Sequence, residues 1–148
     1  MGYGYKALTD SVETFLDAVI AASSFSTVPV LRKGLEKAAP RTGAFILFSL
    51  QFADTVRPLV QGDGKLASGL KRSIGQIVCK IFSRKKDGGD EADQILDALA
   101  DGIDARADSV VHPFTVLWAT SKNGGGPSSE FKGLWQVNAL TRFEYDRS

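Results

Sequence analysis

The residues of this chain best suited to chemistry are few: Gly62-Asp63-Gly64-Lys65, Gly124-Gly125-Gly126, the single histidine His112, the single cysteine Cys79, and a row of aspartates at Asp93, Asp97, Asp101 and Asp104. Gly62 to Lys65 has the look of a phosphate loop, but its spacing fails. A P-loop needs a glycine five residues before its Gly-Lys pair and a serine or threonine after it, where this chain has Leu59 and Leu66. The glycines at 124–126 expose backbone amides, yet Pro127 follows and no apolar helix comes after it to lend a dipole to a bound anion. General acid–base or nucleophilic catalysis needs a nucleophile, a base and an orienting group. His112, just before Pro113, has no such company in the sequence and reads as structural. Cys79 sits inside an apolar alternating run and reads as a buried thiol, with no second cysteine for a disulfide. The aspartates fall at helical spacing and lack the alternating oxygen ligands of a calcium loop, so a solvated helix face explains them. The expectation is a protein without catalytic, cofactor or metal residues.

Charge says more. The net charge is +1, which argues against a dedicated nucleic-acid binder. Within that balance the signs are segregated. Arg57, Lys65, Lys71, Arg72, Lys80, Arg84, Lys85 and Lys86 lie together, and the stretch from Asp87 to Asp108 is acidic. Once assembled, such a chain can present one positive surface while staying near neutral as a whole.

The elements that must position these residues are legible from periodicity. Ile77, Cys79 and Ile81 alternate with Val78, Lys80 and Phe82, a strand pattern with at least one buried face. The turn Ser83 to Asp90 ends this strand, and a helix follows over Asp90–Ala105. Asp90 is its expected N-cap, and Ala92, Ile95, Leu96, Leu99 and Ile103 form its apolar face. Val12, Phe15, Leu16, Val19 and Ile20 predict an earlier helix over Asp10–Ala22. Val30–Ala39 reads as a short helical segment, Gly43–Phe52 and Pro113–Ala119 as strands, and Asn123–Gly133 as a mobile loop. In the last strand Trp135, Val137, Ala139, Thr141, Phe143 and Tyr145 face one way.

Residues 1–148 therefore predict one α+β domain: an antiparallel four-stranded sheet with two main helices on one face, in the order α-β-β-α-β-β. A long loop, Asp54–Arg72, joins the first two strands. It exceeds the usual length of a connection and carries Leu59, Val60, Leu66 and Leu70, apolar side chains that a partner must cover. This loop is expected to be an assembly arm, mobile in the free subunit and ordered against a neighbour. No run approaches the ~20 apolar residues of a membrane span, and the first ten residues lack the apolar core of a signal peptide.

Two stretches carry a resemblance. Gly75-Gln76-Ile77-Val78-Cys79-Lys80-Ile81-Phe82 with Glu91-Ala92-Asp93-Gln94-Ile95-Leu96-Asp97-Ala98-Leu99, and Gly133-Leu134-Trp135-Gln136-Val137 continuing to Arg142-Phe143-Glu144-Tyr145-Asp146, resemble the tail terminator proteins of long-tailed phages, of the lambda minor tail protein U type. The resemblance implies a structural virion protein at the neck of the tail, assembled in the host cytoplasm, with no catalytic residues and no cofactor. Its implied partners are further copies of itself in a hexameric ring, the tail tube protein, the head-tail connector or stopper protein, and the DNA that passes through. Arg57, Lys65, Lys71, Arg72, Lys80 and Arg84 are then expected to supply weak, sequence-independent contact with that DNA. Two other classes fit the same residues: a stopper or head completion protein, and an intracellular ligand-binding or enzymatic α+β domain.

Overall fold

Strands from both halves of the chain carry apolar residues at every second position, and these rows meet on one face of a single sheet beneath two amphipathic helices. The computed structural model describes residues 5–32, 43–60, 66–84, 89–106, 114–116 and 120–147. The element order is α1 (Tyr5–Ala21), β1 (Val30–Arg32), β2 (Phe45–Val60), β3 (Leu66–Arg84), α2 (Asp90–Ala105), β4 (Phe114–Val116), β5 (Ser121–Pro127) and β6 (Leu134–Arg147). The sheet runs β1-β2-β3-β6-β4, with β5 also paired to β6. β4 and β5 share one flank of β6, meeting it at Phe143–Tyr145 and Trp135–Leu140 respectively. β1 pairs with β2 in parallel, and all other pairs are antiparallel.

The α+β class and the placement of both helices on one face match expectation; the strand count and the connections do not. Six strands form a mixed sheet where four antiparallel ones were predicted. Val30–Arg32, expected to be helical, is a strand. Three residues are too few to show a period, and β-branched Val30 is helped into the sheet by the Ile46 N–H, which donates to the Pro29 carbonyl at 2.9 Å. The loop expected at Asn123–Gly133 is strand β5 up to Pro127. There a register shift between Asn123 and Gly126 accommodates Gly124 and Gly125, both at positive φ. Beyond it, the Ser128 hydroxyl accepts from the N–H groups of Glu130 and Phe131 at 3.1 Å and fixes the following turn. Of the strand predicted at Pro113–Ala119, Phe114–Val116 are described and pair with β6.

The main core joins Leu8, Val12, Phe15, Leu16, Val19 and Ile20 of α1 with Ala92, Ile95, Leu96, Leu99 and Ile103 of α2. Beneath them lie Ile46, Phe48, Ile77, Cys79, Ile81, Val137, Ala139, Phe143 and Tyr145 of the sheet. These are the faces that the helical and alternating patterns assign. The outer face carries a smaller cluster of Phe45, Phe82 and Leu134. Phe45 and Phe82 stack at 4.9 Å, and Phe131 from the turn after β5 packs edge-on against both, at 5.4 and 4.9 Å. The buried Thr141 hydroxyl is satisfied by Thr120 at 2.9 Å.

Helix α2 keeps its predicted bounds but not its predicted cap. Gly89, at φ 88 and ψ 5, is the N-cap residue, and no side chain caps the helix. Asp90 is the first helical residue, where its charge still favours the dipole. The reason is steric: a Cβ on Gly89 would stand 2.6 Å from Trp135 Cδ1, so the indole occupies the space a side chain would need. Helix α1 begins five residues before its predicted start, at Tyr5, and is pinned to β1. Arg32 donates to Asp10 at 2.8 Å and to Glu13, and Lys6 donates to Asp10 at 2.8 Å. Lys6 and then Arg32 hold the Asp10 carboxyl below its ordinary range.

Candidate functional site

The most extended feature is built from the segment expected to be a loop. β2 and β3 follow one register from Phe45↔Phe82 to Phe52↔Gly75, jump at a bulge, and resume at Val56↔Ser73, Arg57↔Arg72, Pro58↔Lys71 and Val60↔Leu66. Asp54–Arg72 is therefore a two-stranded β-arm, apart from positions 61–65, which lie outside the described residues. Proline and glycines obscure this in the sequence, but Pro58 stands on β2 beyond the reach of β1, which covers only Ile46–Phe48. Its missing N–H thus takes no ladder bond on that side. The base of the arm is three strands wide, because Ser73, Arg72 and Lys71 also pair with Tyr145, Asp146 and Arg147.

Aromatic packing fixes the root of the arm. Tyr5 of α1 lies 4.6 Å from Phe52, Phe52 lies edge-on to Tyr145 at 5.8 Å, and Tyr145 lies 5.7 Å from Phe143. Gly75 makes room for this stack, since a Cβ there would meet Phe143 Cζ at 2.6 Å. Among the described residues, Tyr5, Phe52 and Ile74 are the exposed large hydrophobic ones, at 44%, 37% and 37%. Tyr5 and Phe52 meet on the helix-covered face where the arm leaves the sheet, and Ile74 stands on the opposite face of β3.

The predicted site residues fall into separate places. Leu59 and Val60 end β2, and Leu66 and Leu70 begin β3, so all four belong to the arm. Arg57 and Arg72 stand opposite one another and Lys71 stands opposite Pro58, so three of the predicted cations share the arm. Lys65 lies outside the described residues. Lys80 is not with them: it is on the outer face, ion-paired with Glu130 and largely covered. Arg84 ends β3 opposite Leu134, at the far end of the sheet from the arm.

The acidic counterpart is the outward face of α2. Asp90, Asp97, Asp101 and Asp104 are exposed. Asp93 pairs with Lys122 at 2.8 Å, and Asp104 accepts from the Thr120 N–H at 3.2 Å. No basic residue stands in the last turn, where a helix favours positive charge. Among the described residues no group of three or more His, Cys, Asp or Glu side chains converges as a metal site. His112 lies outside the described residues. Cys79 is fully buried, and burial pushes its thiol up to about 12, so it is no nucleophile in the folded chain. No helix among the described residues is long and apolar enough to cross a membrane.

What the geometry offers is thus a rigid helix-backed sheet carrying a projecting, cation-bearing arm at one end and an anionic helix face elsewhere. The opposed cations at 57 and 72, and the arm's identity as strands, could not be read from sequence because they follow from the register across the bulge. No known family's sequence pattern matches the chain, and no characterised protein matches it in sequence. Its fold is shared with solved structures. One, a protein described only by a sequence identifier, superposes with a TM-score of 0.64 at 15% identity, covering 97% of this chain and 96% of that one. Another, a chain from the virion of a native gene transfer agent particle, superposes with a TM-score of 0.56 at 11% identity, covering 97% of this chain and 99% of that one.

Proposed function

We propose that this chain is a structural virion protein of the tail terminator class. In this reading its copies form a ring, with six the expected number, that caps the finished tail tube, stops its growth and presents its other face to the head-tail connector or stopper protein. The observation that carries the reading is the end-to-end correspondence of its fold with a chain from a gene transfer agent virion. Two features of the molecule support it. The β-arm is an extension that no local folding requirement explains, and an open strand pair of this kind presents unpaired backbone groups to a neighbour. Among the described residues Cys79 is buried and no His, Cys, Asp or Glu side chains converge as a metal site.

DNA passing through the ring meets a chain of net charge +1, so contact with it is weak and sequence-independent. The test is the length of tubes polymerised from the tube protein of the same particle. Added chain should halt their growth at one end and leave them unable to extend when more tube protein is supplied. Tubes that grow on unchanged, with the chain bound instead to portal complexes, would assign it to the stopper or head completion class.

A further inference from the structure

Two backbone edges of the sheet lack a neighbour among the described residues, and they lie on opposite flanks of it. On β2 the Ile46 N–H donates to the Pro29 carbonyl at 2.9 Å, so the Ile46 backbone groups face β1. Alternation along the strand turns those of Phe48, Leu50 and Phe52 the same way. Among the described residues β1 covers only Ile46–Phe48, which leaves the N–H and C=O groups of Leu50 and Phe52 with no strand beside them. On the other flank β5 pairs with β6 alone, and its second edge is open over Ser121–Pro127. Sheet edges that stay single are commonly guarded by charged side chains. Ser49-Leu50-Gln51-Phe52 holds no charge. On β5 the one charge, Lys122, is taken up by Asp93 of α2 at 2.8 Å. Gly126 adds a further sign. Its φ is not left-handed and a Cβ there would meet nothing within 4 Å, so nothing among the described residues requires a glycine. Bare backbone in a strand suits the close approach of another backbone.

The two edges do not meet within one molecule. β3 and β6 stand between β2 and β5, and three strand spacings amount to about 14 Å. Between molecules they match in direction and in face. The pairs β2–β3, β3–β6 and β6–β5 are all antiparallel, so β5 runs against β2. Copies related by a rotation about an axis along the strands keep these directions. β5 of one copy then meets β2 of the next as an antiparallel neighbour, with both helix layers on the same side. Gln51 of β2, and Ser121 and Asn123 of β5, then share the outer face, since Gln51 is opposite Gln76 and the other two are opposite Leu140 and Asn138.

We propose that the open edge of β2 at Leu50 and Phe52 in one copy pairs with β5 of a second copy, so that the sheet continues from subunit to subunit. The contact joins two different edges, so it repeats head to tail and closes into a ring when the rotation allows. The inference rests on the self-assembly reading above and names the contact that builds the ring. An extended segment of the tube protein is the competing occupant of the β2 edge. The second copy is favoured because the same chain offers, on its opposite flank, an uncommitted edge of the right direction and face.

The experiment uses the full-length chain carrying Gln51→Cys together with Asn123→Cys. Both positions are exposed, so the fold should melt as wild type does, and the native Cys79 is buried and does not compete. Assembled tails are treated with a short bismaleimide, and the chains are separated under denaturing conditions. Neighbouring copies should join through 51 and 123 in a ladder that ends at the number of subunits in the ring. The yield should be at least about tenfold that of a control pair, Thr14→Cys with Asn123→Cys. Gln51→Cys alone and Asn123→Cys alone should give no dimer, and an equimolar mixture of the two should give dimer and nothing larger. In the wild-type protein, hydrogen exchange of the Leu50 and Phe52 N–H groups should slow at least about tenfold on assembly. Rings that form without 51–123 cross-links overturn the inference and leave the ring reading standing. Dimers from Gln51→Cys alone, which would pair two β2 edges, overturn it as well. Protection of Leu50 and Phe52 on tubes without a 51–123 cross-link assigns the edge to the tube protein and overturns it. A chain that forms no ring, alone or on tubes, overturns the inference together with the reading it rests on.

Discussion

Replacing Gly89 by alanine tests how the central strand is turned into its helix. Gly89 combines a left-handed backbone with an indole pressed where a side chain would stand. Holding a non-glycine residue at φ 88 costs about 1–2 kcal/mol. A Cβ placed 2.6 Å from Trp135 Cδ1 forces the ring or the helix start to move, an overpacking cost of about 1–3 kcal/mol. The sum is roughly 2–5 kcal/mol, and in a chain of this size a melting temperature falls by roughly 2–4 °C per kcal/mol. Thermal unfolding followed by circular dichroism should therefore show Gly89→Ala melting at least ~4 °C lower, with a shifted tryptophan emission if Trp135 is the group displaced. Adding Trp135→Leu should cost less in the Gly89→Ala background than in wild type, since there it also relieves the clash. Asp90→Ala should lose only the interaction with the helix dipole, about 0.3–1 kcal/mol. A silent Gly89→Ala together with a costly Asp90→Ala would refute the reasoning and restore Asp90 as the cap.

Three further outcomes are expected. Asp10 is held below the usual carboxylate range by Lys6 and Arg32, so its contribution to stability is present above the ordinary value of 3.8 and is lost as pH falls through the lowered folded value. Denaturant unfolding as a function of pH should thus show wild type losing stability below about pH 4 more steeply than Asp10→Asn; parallel curves would contradict it. The Cys79 thiol, pushed up to about 12 by burial, should resist alkylation at neutral pH until the chain is unfolded, which mass spectrometry after timed exposure reads directly. Replacing residues 58–69 by a short Gly-Ser turn should leave the cooperative unfolding transition in place and abolish the capping of tail tubes; normal capping by that variant would remove the arm from assembly.

The parts of the fold legible in the sequence are those where one face is buried over a long stretch. The α2 bounds, the apolar face of α1 and the alternation through β6 all follow from periodicity, because each such side chain meets the same core. Short or two-sided elements escaped. β1 has only three residues, and β5 is Ser-Lys-Asn-Gly-Gly-Gly-Pro, a turn composition made into a strand by pairing with β6. The arm escaped for a different reason. Its glycines and proline signal a loop locally, and only the register beyond Phe52 and Gly75 shows that both sides continue as strands. Its apolar residues and its cations are legible in the sequence, but not that Arg57 stands opposite Arg72 in register, nor that Lys80 turns to Glu130 on the outer face. Local cap preferences point to Asp90, whereas the indole that excludes a side chain at Gly89 comes from the far end of the sequence.

The most direct measurement is electron microscopy of tails assembled with and without this protein, with averaging of the tube ends viewed along and across the axis. The account predicts a ring of repeating subunits around a central hole at one end of every tube of finished length, absent when the protein is omitted. Finished tubes that end bare in its presence, or rings seated on portals and never on tubes, would contradict it.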